Sequence, residues 1–258
     1  MNAINKNQST NFAAVITVGN ILKPVFSQAL NIQSSILQRF PKAGAAWLLF
    51  LLLTMACNND VPKKVQHASG NTYQQKRLQR YTDSIYPLAK TQVESGDIIL
   101  RLGSDITSEM FRQMNKTDQR FSHAGIASIE QDSIFVYHAI GGEFNPDQKI
   151  KREPIYSFGH PADNKSLAII RTKKPMKQRR EIAARARSLY LQGIPFDMKF
   201  DYSTEDRLYC SEFVAKCIVR AVQDSSWLHF THTGPLKFVA VDNLLLASIM
   251  QQQMSWQY

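Results

Sequence analysis

The chain has 258 residues, 44% of them hydrophobic, which suits one domain with embellishments or two small ones. Its three cysteines exclude a disulfide framework, because Cys210 and Cys217 lie two helical turns apart, roughly 10 Å, too far to bridge. The formal net charge of +10 is densest from Arg171 to Arg187. No recognition motif or stacking array accompanies it, so nucleic acid is not an expected partner, and the charge reads as the solvated face of a helix near anionic lipid or polymer.

Residues 1–36 are polar and without strong period. Basic flanks (Arg39, Lys42) then precede an apolar run, residues 43–56, that is short for a membrane span and right for a signal-peptide core. The run ends Leu53-Thr54-Met55-Ala56-Cys57, which resembles a bacterial lipoprotein signal. The resemblance implies that Cys57 becomes the lipid-modified N-terminus; a non-cleaved anchor helix is the alternative. Either places the remainder outside the cytoplasm. The expected division is an N-terminal extension and signal over 1–56, a polar tether over 57–70 and a folded domain over 71–258.

From Asn71 to about Glu94 the pattern is helical, with Leu78, Tyr81, Ile85, Leu88 and Ala89 on one face. Residues 97–102 read as a strand, and Ser104 or Asp105 as the cap of a helix ending near Met114. Strands follow over 123–129 and 134–139, joined by a hairpin turn at 130–133. Residues 149–155 read as a strand or a helix start, and 166–171 as a strand. Pro175 opens a helix that Gly193 and Pro195 stop. A loop over 196–201 leads to the stretch Leu208-Tyr209-Cys210-Ser211-Glu212-Phe213-Val214, the start of a helix whose apolar face continues through Cys217, Ile218, Ala221 and Val222. The tail over 237–250 is mixed.

Cys210 in a first helical turn feels the positive end of the helix dipole, which favours thiolate. A nucleophilic thiol needs a base, a group that orients the base, and an oxyanion donor. His123 and His138 fall on neighbouring strands across the hairpin, each followed by alanine, so that one ring is placed to hold the other. The Cys210 backbone N–H is the expected oxyanion donor. Packing alone would also accommodate each of the three residues; their joint occurrence makes the pair a candidate. Cys217 reads as core, and Glu212 as surface support through an i,i+4 pair with Lys216. A zinc site from His123, His138 and Cys210 lacks a fourth ligand at a recognisable spacing, so no metal is expected.

The order Gly96-Asp97-Ile98-Ile99, Ser122-His123-Ala124-Gly125-Ile126, Val136-Tyr137-His138-Ala139, Phe196-Asp197 and Tyr209-Cys210-Ser211-Glu212 resembles the circularly permuted, YiiX-like branch of the NlpC-type papain-like cysteine hydrolases. The cysteine helix comes last here and first in the unpermuted enzymes. The resemblance implies an α+β, permuted papain-like fold, with helices packed on a small antiparallel sheet. It implies Cys210 as nucleophile, His123 as base and His138 as the third polar position, with Asp97, Tyr209 and Ser122 as supporting or substrate-bordering residues. No cofactor is implied. The expected activity is cell-envelope amide hydrolysis on peptides or peptidoglycan fragments through a thioacyl-enzyme. A lipid or acyl-amide hydrolase or acyltransferase, and a catalytically dead binding module, are the alternatives.

Overall fold

Two strands carry unbroken apolar runs, Ile98-Ile99-Leu100 and Leu167-Ala168-Ile169-Ile170, and all seven side chains are buried. A strand that is apolar on both faces requires a cover on each face. The computed structural model, which describes residues 68–142 and 145–258, supplies both covers. The signal-like run, Cys57 and most of the tether lie outside the described residues. Among the described residues no helix is long and apolar enough to cross a membrane.

The elements run α1 (Ala68–Arg80), a π-helical turn (Tyr81–Ile85), α2 (Tyr86–Gln92), β1 (Ile98–Gly103), α3 (Ile106–Met114), β2 (His123–Glu130), β3 (Ser133–His138), β4 (Lys151–Pro154), α4 (Ile155–Phe158), β5 (Asn164–Thr172), α5 (Met176–Gln192), α6 (Cys210–Val222), β6 (Thr231–Thr233), β7 (Leu236–Phe238), α7 (Val241–Leu245) and β8 (Met250–Gln257). The main sheet has the order β4-β3-β2-β1-β5-β8, and each neighbouring pair is antiparallel. A separate hairpin joins β6 and β7. The expected α+β architecture is present, with a larger sheet than the sequence suggested.

One face of the sheet, with Ile98, Leu100, Ile126 and Ile170, packs against α5 and α6 through Ile182, Ala186, Phe213, Val214, Cys217 and Ile218. The other, with Ile99, Ala127, Val136 and Ile169, is covered by Tyr81, Ile85, Ala89 and Val93. Those four recur every fourth residue along the N-terminal helical segment. The expected apolar stripe shifts accordingly: Leu78 and Leu88 are 39% and 40% exposed, because the π-helical turn rotates the face presented to the sheet. Burying one large aliphatic side chain contributes about 1.5–3 kcal/mol, so α6, enclosed over most of its length, is held mainly by packing.

Local signals act where the chain turns. Asp105 caps α3 by accepting from the Ser108 N–H at 2.9 Å. Gln131 and Asp132, with φ of 47° and 66°, close the β2–β3 hairpin in the left-handed conformation that a tight two-residue turn needs. Gly96 has φ of 91°, and a Cβ there would lie 2.0 Å from the Arg179 carbonyl oxygen, so β1 can start beneath α5 only with glycine at this position.

Much of the basic run is not solvated helix face. Arg171 binds Asp97 and Glu94, and Arg179 binds Glu94 at 2.5 Å, all between β1, β5 and α5. Arg180 and Arg187 remain exposed on a groove that also includes Met176, Leu191 and Ile129; none of the candidate site residues lines it.

Candidate active site

The β2–β3 ladder runs to Ile126 opposite Tyr137. The next residue, His138, therefore falls beside Gly125. A Cβ on Gly125 would sit 2.5 Å from Val136 Cγ1 and 3.1 Å from His138 Cβ. Glycine here lets β3 approach β2 closely enough for His138 to reach diagonally to His123. The result is a contact of 2.8 Å between His123 Nε2 and His138 Nδ1, the rings nearly perpendicular at 86°. The sequence reading credited the approach of the two rings to the small residues Ala124 and Ala139; Gly125 is the residue that makes the approach possible.

The chain of contacts continues to a residue that sequence reasoning missed. Glu153, on β4 opposite Val136, places Oε1 2.5 Å from His138 Nε2. This is a close polar contact rather than an aligned hydrogen bond. His138 beside it holds the Glu153 carboxyl below the usual carboxylate range, so the acid is ionised at neutral pH. A carboxylate facing Nε2 of His138 favours the proton on that nitrogen. Nδ1 of His138 is then an acceptor, which puts the proton of His123 on Nε2 and leaves its Nδ1 basic. Lys151-Arg152-Glu153-Pro154 falls in a stretch that reads in sequence as a strand or a helix start; only its antiparallel return beside β3 brings the acid to His138.

Burial, then Arg101, then His138 hold the His123 ring well below the ordinary imidazole value, so it rests neutral. Burial likewise lowers His138, against the opposing pull of Glu153. Phe158 forms the surface on which both rings pack, at 5.8 Å from His123 and 5.1 Å from His138 between centroids.

Cys210 is the first residue of α6. Its half-buried thiol is faced by the backbone amides of Ala124, Ser211 and Cys210 itself. These favour the anion, yet burial outweighs them and pushes the thiol above its ordinary value. The expectation of a resting thiolate is thus corrected. The helix-end dipole acts, but desolvation of sulfur is the larger effect. Cys210 thus rests as a neutral thiol and His123 as a neutral imidazole. Ala124 directly follows His123, so the amide facing the sulfur comes from the start of the strand that carries the imidazole.

The start of α6 is fixed by three hydrogen bonds, two of them to Val239. Tyr209 O–H accepts from the Val239 N–H at 2.8 Å, Ser211 Oγ donates to the Val239 carbonyl at 2.6 Å, and Glu212 accepts from the Tyr209 N–H at 3.1 Å. Tyr209 is buried against Phe200 and does not border the cleft as expected. Glu212 is not surface support either. It is fully buried, bonded to Lys216 at 2.8 Å, and burial pushes its carboxyl up to about 8. Hydrophobic period alone did not reveal that α6 is enclosed on its polar side as well.

The remaining expected residues are supports. Ser122 Oγ accepts from the Gly103 N–H at 3.3 Å and ties β2 to the end of β1. Asp97 is buried at the other end of β1, about 13 Å from Arg101 at the strand rise, and is bound twice by Arg171 at 2.7 Å. It locks the fold and does not join the histidines. Cys217 is buried in the core. Cys57 lies outside the described residues. Among the described residues no group of three or more His, Cys, Asp and Glu side chains is placed to hold a metal ion.

No curated protein matches the chain in sequence. Among solved structures it is similar to the metalloprotein yiiX from Escherichia coli O157:H7, at 19% identity and a TM-score of 0.51, over 65% of this chain and 99% of that one. That likeness concerns the fold. A family model described as "Permuted papain-like amidase enzyme, YaeF/YiiX, C92 family" matches residues 92–235, which span β1, both histidine strands and the cysteine helix. The chain belongs to this family of permuted papain-like amidases.

Proposed function

We propose that the protein is a cysteine amidase acting through Cys210, His123 and His138, with Glu153 positioning the second histidine. The observation that carries this reading is the run Glu153–His138–His123 ending at the strand start whose next amide, that of Ala124, faces the Cys210 thiol. Nδ1 of His123 takes the thiol proton as sulfur attacks the amide carbonyl carbon. A C–S bond forms, and the carbonyl π electrons move to oxygen. The backbone N–H of Cys210 is the donor for that oxyanion. Collapse re-forms the carbonyl and breaks the C–N bond. His123 returns the proton to the departing amine. Water, deprotonated by the same nitrogen, then cleaves the thioester and restores the thiol. His138 and the Glu153 carboxylate stabilise the transient imidazolium.

We place the domain in the cell envelope on a lipid anchor at Cys57, with peptides or peptidoglycan fragments as the leading substrates. Loss of membrane association and of radiolabelled acyl chain in Cys57→Ala is the expected result; an unchanged anchor would reject this placement. The enzymatic reading is tested by incubating wild type and Cys210→Ala with peptidoglycan fragments and with acyl-amide lipids, and reading products by mass spectrometry. Wild type is expected to release amine from the peptide pool and the variant from neither. Products that appear equally with both proteins would remove Cys210 from the mechanism.

A further inference from the structure

Arg101 is the member of the site that the amidase mechanism does not use. It lies directly opposite His123 in the β1–β2 ladder. Its guanidinium carbon sits 4.4 Å above the Phe158 ring, the same ring on which both histidines pack, and Nη1 donates to the Phe158 carbonyl at 2.9 Å. Nε and Nη2 have no committed acceptor among the described residues. The acidic groups whose fields reach it are Glu153, Asp105 and Asp163, together with the Cys210 thiol. None of these carboxylates is ion-paired with it among the described residues: Glu153 is turned to His138, and Asp105 is engaged with Ser108. A half-buried guanidinium without a paired carboxylate is costly, and the fork of donors it leaves open matches a planar anion.

We infer that Arg101 forms an anion subsite beside Cys210 and selects amide substrates that carry a carboxylate near the scissile carbonyl. The inference rests on Cys210 being the reactive thiol. A carboxylate fits better than a phosphate. There is one cation, and three acidic side chains surround it at longer range, so a monoanion is accepted where a dianion meets repulsion. Stacking on Phe158 fixes the plane of the fork and hence the side from which a bidentate carboxylate enters. Peptide fragments with free carboxylates belong to this class; neutral acyl amides do not.

Alkylation of Cys210 in the full chain tests the subsite without knowledge of the substrate. The acid–amide reagent pairs iodoacetate and iodoacetamide, and 3-bromopropionate and 3-bromopropionamide, probe two reaches, and mass spectrometry of the Cys210 peptide gives the rates. The acid-to-amide rate ratio cancels intrinsic thiol reactivity. In wild type it is expected to exceed the ratio for free cysteine about tenfold for at least one reagent length, the size of one charge-assisted hydrogen bond. Arg101→Gln is expected to return the ratio to that of free cysteine, and Arg101→Lys to retain part of the excess. A wild-type ratio equal to that of free cysteine at both lengths overturns the inference even if neither variant folds. So does an excess that survives in Arg101→Gln shown to be folded by circular dichroism. If none of the reagents modifies Cys210, the reactive-thiol reading fails first and the subsite falls with it.

Discussion

At the Asp97 end of β1, Arg171 meets Asp97 through two bonds of 2.7 Å and Glu94 through one of 2.6 Å, and Glu94 is shared with Arg179. At the other end, Arg101 lies opposite His123 and within the electrostatic reach of Cys210, with one donor satisfied by a carbonyl and no carboxylate paired to it among the described residues. The two ends of β1 thus adjoin two half-buried arginine sites, Arg171 of β5 at one and Arg101 of β1 at the other, with opposite states of balance. The matched end joins β1, β5 and α5 and has no open donor fork. The unmatched end sits beside a neutral imidazole chain and a protonated thiol. A fold tolerates such incompleteness at few places, and here it coincides with the candidate chemistry.

The contrast is broken most sharply by His123→Ala. Removing the base is expected to lower kcat/KM on the order of 10²–10⁴-fold without a comparable loss of stability, read by steady-state kinetics alongside thermal melting. Asp97→Ala should do the reverse. Stripping a buried partner from Arg171 costs about 3 kcal/mol, seen as a lower denaturant midpoint, while the activity of the remaining folded protein is retained. If Asp97→Ala instead abolishes turnover in folded protein, the two ends are not functionally separate. Glu153→Gln is a smaller change, because it keeps the shape and removes the charge that fixes the His138 tautomer. We expect about a tenfold drop in kcat with KM little altered, and an upward move of the acidic limb of the kcat/KM profile would argue against the positioning role.

The smallest effect is on pH dependence. The folded chain holds both histidines below the value of an unfolded imidazole, about 6.5, so it binds fewer protons than the unfolded chain in mild acid. Their contribution to stability is complete above that pH and is lost as pH falls from about 6.5 through the folded values. His138→Gln should flatten this part of the melting-temperature profile. An unchanged slope would show that the His138 ring is not held neutral by the fold.

The helices and central strands were legible because their periods are strong. Phe213 to Val222 repeats at 3.6, and Ile98 to Leu100 and Leu167 to Ile170 are continuous apolar runs. β8 was not. Its sequence, Met-Gln-Gln-Gln-Met-Ser-Trp-Gln, offers few apolar positions, and a register shift between Ile169 and Ile170 breaks the alternation. The histidine pair was legible because a hairpin relates positions by local symmetry. Glu153 and Arg101 were not. β4 follows β3 only after a loop of unpredictable path, and nothing in the triplet Leu100-Arg101-Leu102 says that its arginine lies inward. The state of the thiol also escaped the sequence, since a helix terminus announces its dipole but not how much protein surrounds the sulfur.

The most direct test of the central claim compares the two cysteines within the described fold. Iodoacetamide labelling of the folded protein at pH 7, followed residue by residue by mass spectrometry, should modify Cys210 far faster than the core residue Cys217, and His123→Ala should slow Cys210 alone. If Cys210 reacts no faster than Cys217, or if losing His123 leaves its rate unchanged, Cys210 and His123 do not work as nucleophile and base.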